Sequence, residues 1–205
     1  MGLYARYVWA PLLDWFMRQP PIMEHRRTVV PLARGRVLEI GIGSGLNLRC
    51  YDGRRVERVW GLEPSGELRQ VASARAAGTG LHVELVAGSA EEIPMEDGFF
   101  DTVLTTWTMC SIPDLTRALR EMRRVLRPGG QLLFAEHGLS PDSGVAVWQN
   151  RLNPIWCTLS SGCNMNRDIA RLIRDGGFSI ERLATGYLEG PKLLTYNCWG
   201  AAAPA

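Results

Sequence analysis

The chain has 205 residues, 46% of them hydrophobic and 21% charged, with a net charge of +2. That balance fits one soluble globular domain and lacks the basic excess that marks a nucleic-acid partner. Of 23 basic residues 22 are Arg and one is Lys192, and the three His are His25, His82 and His137. There is no Gly-Lys-Ser/Thr phosphate loop, the lone Lys sits beside Pro191, and the His spacings match no metal-binding helix. Nucleotide hydrolysis, Schiff-base chemistry and His-rich metallohydrolysis are therefore disfavoured, and no metal is expected.

The first 21 residues are broken by Arg6, Pro11 and Asp14, so they read as neither a signal peptide nor a spanning helix. Residues 36–40 form a short apolar run that ends at Gly41, as a buried strand does. Residues 58–63 are the second strand, stopped by Pro64. Residues 67–77 are helical and end at Gly78. Strands follow at 82–86 and 100–106. Asp114 then caps a helix whose apolar residues Leu115, Ala118, Leu119, Met122, Val125 and Leu126 recur at helical spacing, before a stop at 127–130. A fifth strand covers 131–136, and a helix runs from 168 to 175. Residues 179–187 and 193–199 are two closing strands, whose short connection at 189–192 suits an antiparallel pair. Strands alternating with helices predict an α/β fold with a mostly parallel sheet covered on both faces. Ligands then sit beyond the carboxyl ends of the strands. The five Cys never form Cys-x-x-Cys and read as reduced thiols, so a cytoplasmic protein is expected.

Glu39-Ile-Gly-Ile-Gly-Ser-Gly45 lies where the first strand should turn into a helix. Glycines at alternate positions let the backbone approach a ligand closely. Glu63 ends the second strand, where a carboxylate can accept from both ribose hydroxyls of an adenosine. The spacing is Gly-x-Gly-x-Gly rather than the Gly-x-Gly-x-x-Gly of nicotinamide loops. An acid as close as Glu39 would repel a pyrophosphate but suits the cationic methionine end of S-adenosylmethionine (SAM).

The ordered motifs VLEIGIGSG (37–45), WGLEPS (60–65), GSAEEIP (88–94), FDTVLTTWTMCSIPD (100–114), VLRPGG (125–130) and LLFAEHG (132–138) resemble class I SAM-dependent methyltransferases. The resemblance covers nearly the whole chain. It implies a Rossmann-like α/β fold with a seven-stranded, mostly parallel sheet, an antiparallel last strand and helices on both faces. It also implies SAM as cofactor and S-adenosylhomocysteine as product. Carried onto matching positions, it places Gly41, Gly43 and Gly45 along the methionine and ribose, with Glu39 supporting the amino group. Asn47 reaches the carboxylate, Glu63 takes the ribose hydroxyls and Pro64 lies beside the adenine. Ser89-Ala90 stands at the adenine edge, where many members carry Asp, and Thr106 and Trp107 close over the cofactor. Residues 1–34 are expected to form a helical lid over a methyltransferase domain at 35–205, in a single-domain chain overall.

In the C-terminal half, Glu136-His-Gly138, Trp148-Gln149, Leu152-Asn-Pro-x-Trp156 and Gly162-Cys163 followed by Asn166-Arg167 resemble the alkyl-thiol methyltransferase group, whose members commonly carry His where Asn164 stands. A thiol acceptor needs little activation, whereas an amine needs a base. His137 is the candidate base or acceptor-positioning residue. Its alternative is a structural His, as a buried apolar Cys is for Cys110 and Cys163. Tyr7, Cys110, Trp148, Asn153, Trp156, Cys163 and Asn164 are the candidate acceptor-site residues. The expected partner is a small molecule and no nucleic acid. A weak peripheral membrane contact through the N-terminal segment stays open, as do monomer and homodimer. The leading expectation is S-methylation; N-methylation of an amine such as a phospholipid head group, and a non-catalytic SAM-fold module, are its rivals.

Overall fold

A computed structural model describes residues 14–205; Tyr7 lies outside them. In chain order the elements are α1 (Pro20–Val29), β1 (Gly35–Ile40), β2 (Val56–Leu62), α2 (Gly66–Ala76), β3 (Val83–Val86), β4 (Phe100–Thr106), α3 (Leu115–Val125), β5 (Leu126–His137), α4 (Ser143–Leu159), α5 (Ile169–Asp175), β6 (Phe178–Tyr187), α6 (Lys192–Thr195) and β7 (Tyr196–Pro204). The strands form one sheet in the order β3-β2-β1-β4-β5-β7-β6. β7 runs against both its neighbours, and the other six run together. This is the seven-stranded sheet with one antiparallel strand that the motifs imply.

Strand geometry sends successive side chains to opposite faces, and the two apolar cores show it. Leu38 and Ile40, Val103, Leu132 and Phe134 enter one core with Leu119 and Met122 of α3 and Ile169 and Ile173 of α5. Val37, Leu104, Leu133 and Ala135 enter the other with Val29 of α1 and Leu48. β4 is buried along its whole length, as a central parallel strand must be. The helix starts follow the capping rule: Ser65, Asp114 and Asp168 accept from the backbone N–H of Leu68, Arg117 and Arg171.

Three elements depart from expectation. The glycine loop opens onto a single 3-10 turn, Leu46–Arg49, not an α-helix. Asn47 and Leu48 are drawn into the interior there, and β2 begins at Val56, which leaves no room for a longer helix. α4 fills 143–159, where no element is expected, because Pro154 interrupts its pattern. The last strand runs 196–204 rather than 193–199: residues 192–195 close a helical turn, and the strand continues through Ala201 and Ala202, both wholly buried. Ala is a poor strand former, yet here β5 and β6 flank it on both sides.

Candidate active site

The glycine loop leaves β1 with Gly41, Gly43 and Gly45 all at positive φ, +65°, +57° and +81°. A Cβ on Gly41 would lie 2.4 Å from the Thr108 methyl, so this glycine lets the β1 loop pack against the turn after β4. Among the described residues, a Cβ on Gly43 would meet nothing nearer than a backbone oxygen at 3.8 Å. The space over Gly43 is thus open, and the loop is bare where a ligand would approach. Glu63, at the end of β2, is buried, and each carboxylate oxygen accepts one backbone N–H: Gly43 at 3.1 Å and Ser65 at 2.9 Å. Burial raises its pKa, against those two bonds. Pro64 and Ser89 are exposed and Ala90 is buried near the end of β3; Ser89 bonds Glu91 and bridges to Glu92.

Beneath the loop lies a buried polar network. Glu39 accepts from Tyr51 Oη at 2.7 Å and from Asn47 Nδ2 at 2.9 Å. Asn47 also donates to Thr106 Oγ1 at 3.0 Å. Arg26, from α1 and only 5% exposed, donates to Asn47 Oδ1 at 2.6 Å and to Thr106 Oγ1 at 2.7 Å. Burial pushes Glu39 up to about 7, against the Tyr51 and Asn47 bonds and the nearby Arg26 charge. Arg26 Nε is buried and has no hydrogen-bond partner among the described residues. Its guanidinium also lies 4.9 Å from the ring centre of Trp107. Trp107 sits at φ +50°, uncommon for a bulky residue, and its indole donates to Asn197 at 2.9 Å. Asp14 ties the segment before α1 to the loop: its carboxylate accepts from Ser44 Oγ at 2.5 Å and pairs with Arg75. Trp15 and Phe16, in the same segment, are exposed.

A second cluster lies at the ends of β4 and β5. Glu136, wholly buried, accepts from Thr105 Oγ1 at 2.7 Å and from the backbone N–H of Thr108 and Met109, which fixes the turn after β4. Burial pushes it, too, up to about 7. From that turn comes Cys110, and from the next residue of β5 comes His137. His137 Nε2 lies 3.1 Å from Cys163 Sγ, and the ligating atoms of Cys110, His137 and Cys163 all lie within 4.8 Å of one another. Hydrogen bonds from Cys110 and, less strongly, His137 hold the Cys163 thiol well below its ordinary range, against burial. For His137, burial pulls the other way but the Cys163 partner prevails, and its pKa is raised. The Trp156 indole beside Cys163 favours the thiolate as well.

The loop carrying Cys163 is held by amides. Asn164 donates to the Cys110 and Gly162 carbonyls, each at 3.0 Å, and accepts from Asn153 at 3.0 Å. Asn153 accepts from the Met165 N–H at 2.9 Å. Gln149 of α4 reaches the carbonyls of Gly138, Met165 and Leu193. Of the expected acceptor-site residues, Cys110, Cys163, Asn153, Asn164 and Trp156 come together around His137. Trp148 does not: it is 53% exposed on α4, under Arg151.

Arg26, Tyr51, Glu136 and Arg167 are absent from the sequence-derived site. Arg26 and Tyr51 lie in no motif. Glu136 was visible only as the neighbour of His137. Arg167, next to Asn166 in the C-terminal pattern, donates to the Met109 carbonyl.

Residues 38–134 match the model of a methyltransferase domain family. Together with the strand order and the glycine loop, this match points to the class of SAM-dependent methyltransferases that the motifs resemble. A geranyl diphosphate methyltransferase solved in complex with SAM superposes with a TM-score of 0.72 at 17% identity, covering 96% of this chain and 90% of that one, a likeness of fold. Within the class, the chain is similar to human thiol S-methyltransferase TMT1A, 32% identical over 166 residues, 78% of this chain and 66% of that protein. It is also similar to a phosphatidylethanolamine N-methyltransferase of Cereibacter sphaeroides, 36% identical over 105 residues, about half of each chain. The chain spans less than two thirds of the length of the thiol methyltransferases it matches. Among the described residues no helix is long and apolar enough to cross a membrane.

Proposed function

We propose that the protein is a SAM-dependent methyltransferase acting on a small-molecule thiol. The observation that carries the cofactor part is the cradle around Gly43: open space over a bare loop, with the Glu63 carboxylate behind it. Each Glu63 oxygen spends one lone pair on a backbone N–H and keeps another for a ribose hydroxyl. The buried, unpartnered Nε of Arg26 supports the same fit, because a carboxylate arriving there would satisfy it. SAM, when bound, supplies the activated methyl group and its leaving group.

The chain's own residues then bind, orient and exclude water. Gly41, Gly43 and Gly45 let the loop lie close to the cofactor. Glu39 stands at its amino end, Arg26 and Asn47 toward its carboxylate, and Ser89-Ala90 and Pro64 around the adenine. Thr106 and Trp107 bound the side toward β4. Residues 14–34 dock on the loop through Asp14 and Arg26, which supports a lid role for this part of the 1–34 segment over a domain at 35–205; residues 1–13 lie outside the described residues.

The acceptor reading rests on the thiol relatives and on the chemistry at the ends of β4 and β5. That region offers two thiols and an imidazole within 4.8 Å of one another, and the Glu136 carboxylate beside them is buried and already accepts from Thr105, Thr108 and Met109. His137 already spends Nε2 on Cys163, so it positions the acceptor side more naturally than it serves as a free base. The N-methyltransferase relative matches only half the chain, which leaves N-methylation as the second reading. An assay with methyl-labelled SAM against alkyl thiols and amine phospholipids separates them. Label in the thiols is the expected result; label in the lipid amines and in no thiol would overturn the sulfur assignment.

A further inference from the structure

The expectation of no metal rested on how the His residues are spaced along the chain. Folding brings together a different set: Cys110 from the turn after β4, His137 from the end of β5 and Cys163 from the loop after α4. We propose that these three residues bind a zinc ion and leave its fourth position open for the acceptor thiol. The thiol-binding part rests on the S-methyltransfer reading above; the metal-binding part stands on the cluster itself.

The donor set is the first argument. Two Cys and one His with a vacant fourth place is a known composition of catalytic, as opposed to closed structural, zinc sites. Spacing is the second. Tetrahedral zinc with bonds of about 2.0–2.3 Å holds its ligand atoms roughly 3.5–3.8 Å apart. Here the His137–Cys163 pair is at 3.1 Å and no pair exceeds 4.8 Å. An ion therefore asks for shifts of a few tenths of an ångström to about one ångström, within rotamer motion of two thiols.

Support from outside the cluster is the third. Metal ligands are held in place by a surrounding hydrogen-bond shell, and the loops that carry the two Cys have one. The Cys110 carbonyl takes the N–H and the side-chain amide of Asn164, next in sequence to Cys163, so the two Cys are tied through one residue. The turn that presents Cys110 is pinned by Glu136. The charge also balances. Two thiolates neutralise zinc, a third thiolate from the acceptor adds one negative charge, and the Arg167 guanidinium bonds the Met109 carbonyl beside Cys110.

Position is the fourth. β5 is next to β4 and β4 next to β1, so the cluster stands about two strand spacings, roughly 10 Å, from the glycine loop on the ligand-binding end of the sheet. Cys110 Sγ lies 3.8 Å from the carbonyl of Trp107, whose ring faces Arg26.

The step is a ligand exchange. The acceptor's S–H bond breaks, its proton goes to water, and its sulfur takes the place of a water on zinc, so the thiolate is held at neutral pH. A thiol with the pKa near 8.5 of a free Cys is only about 3% thiolate at pH 7, so full deprotonation is a gain of about 30-fold in reactive form, and more for a thiol of higher pKa.

The test uses the full chain, produced with zinc in the medium and purified without chelators. Elemental analysis should find about one zinc per chain. Cys163→Ser and His137→Ala should each lose most of it, melting at a lower temperature but still in one cooperative transition, and should keep the S-adenosylhomocysteine affinity. Cys157→Ser, outside the cluster, should keep it. Cobalt(II) in place of zinc should give thiolate-to-metal absorption that shifts on adding 2-mercaptoethanol and not on adding ethanolamine. Folded protein without metal after zinc addition, zinc retained by both variants, or a Cys110–Cys163 disulfide in a non-reduced peptide map would overturn the proposal. Thiol methylation undiminished after zinc removal would also overturn it and leave the sulfur reading standing. Zinc bound with no thiol methylated would sustain the metal site and sink the sulfur reading.

Discussion

At the ends of β1 and β2 the site is made of backbone: three glycines at positive φ, and a Glu63 carboxylate that the chain's own N–H groups hold in place. At the ends of β4 and β5 it is made of side chains, two thiols and an imidazole from three separate segments, ringed by the amides of Asn153, Asn164 and Gln149. A buried carboxylate anchors each region, Glu39 the first and Glu136 the second, and burial pushes both up to about 7. The difference suits the two tasks. A cofactor common to a whole class can be held by a loop whose shape does not depend on side-chain identity. An acceptor particular to one protein has to be recognised by side-chain chemistry, which can change without disturbing the loop.

The sharpest way to break the backbone region is to add one methyl group to it. Gly41→Ala places a Cβ 2.4 Å from Thr108 at φ +65°, so left-handed strain and overpacking combine to a stability loss of about 3 kcal/mol or more. Gly43→Ala has room for its Cβ and pays only the strain, about 1–2 kcal/mol. It should, however, fill the cradle and weaken S-adenosylhomocysteine binding about 100-fold or more. Urea denaturation and calorimetry on the same two variants check this. Equal effects of both on stability, with binding intact in Gly43→Ala, would show that the open side of the loop is not where the cofactor lies.

Glu63→Ala comes next. Two hydrogen bonds from ribose to a carboxylate are worth about 1.5 kcal/mol each or more, so the dissociation constant should rise about 100-fold with the fold retained. An unchanged affinity would remove Glu63 from the ribose. Arg26→Met should weaken binding by a smaller factor, about tenfold, because Asn47 remains beside the carboxylate.

These residues also mark what the sequence makes legible. The glycine loop, Glu63, the caps at Asp114 and Asp168 and the apolar stripe of α3 are local: a few consecutive residues carry the whole physical reason. Arg26 was hidden because its partners, Asn47 and Thr106, are 21 and 80 residues away. Cys110, His137 and Cys163 were each visible as candidates, but their meeting depends on the order in which β4, β5 and the loop after α4 are stacked. β7 was misplaced because Ala201–Ala203 has no strand signature of its own. α4 was missed because Pro154 breaks its pattern, although the helix continues through it.

Glu39 gives a pH test of the buried network. Its pKa is raised from 4.5 to about 7 in the folded chain, so the folded state holds a proton that the unfolded state has released. Stability from this group is fully present below about pH 4.5 and is lost as pH rises through about 7. By linkage the loss is at most about 3 kcal/mol. Glu39→Gln should flatten that part of the urea-denaturation profile between pH 5 and pH 7. A profile of the same slope in the variant would place the titration elsewhere.

The smallest expected effect falls in the side-chain region. Asn153→Ala removes the donor to Asn164 Oδ1 and the acceptor of the Met165 N–H, two part-buried bonds that hold the Cys163 loop. Leaving those partners unpaired costs about 1–2 kcal/mol, some of it recovered if water enters. None of Asn153's hydrogen bonds reaches the glycine loop, so S-adenosylhomocysteine affinity should be unchanged while the rate with an acceptor falls. A lost cofactor affinity would mean that the two regions are not separable and that the amides of the Cys163 loop also support the cradle. A retained affinity with a slowed acceptor reaction would show that the acceptor side can be altered without disturbing the cofactor cradle.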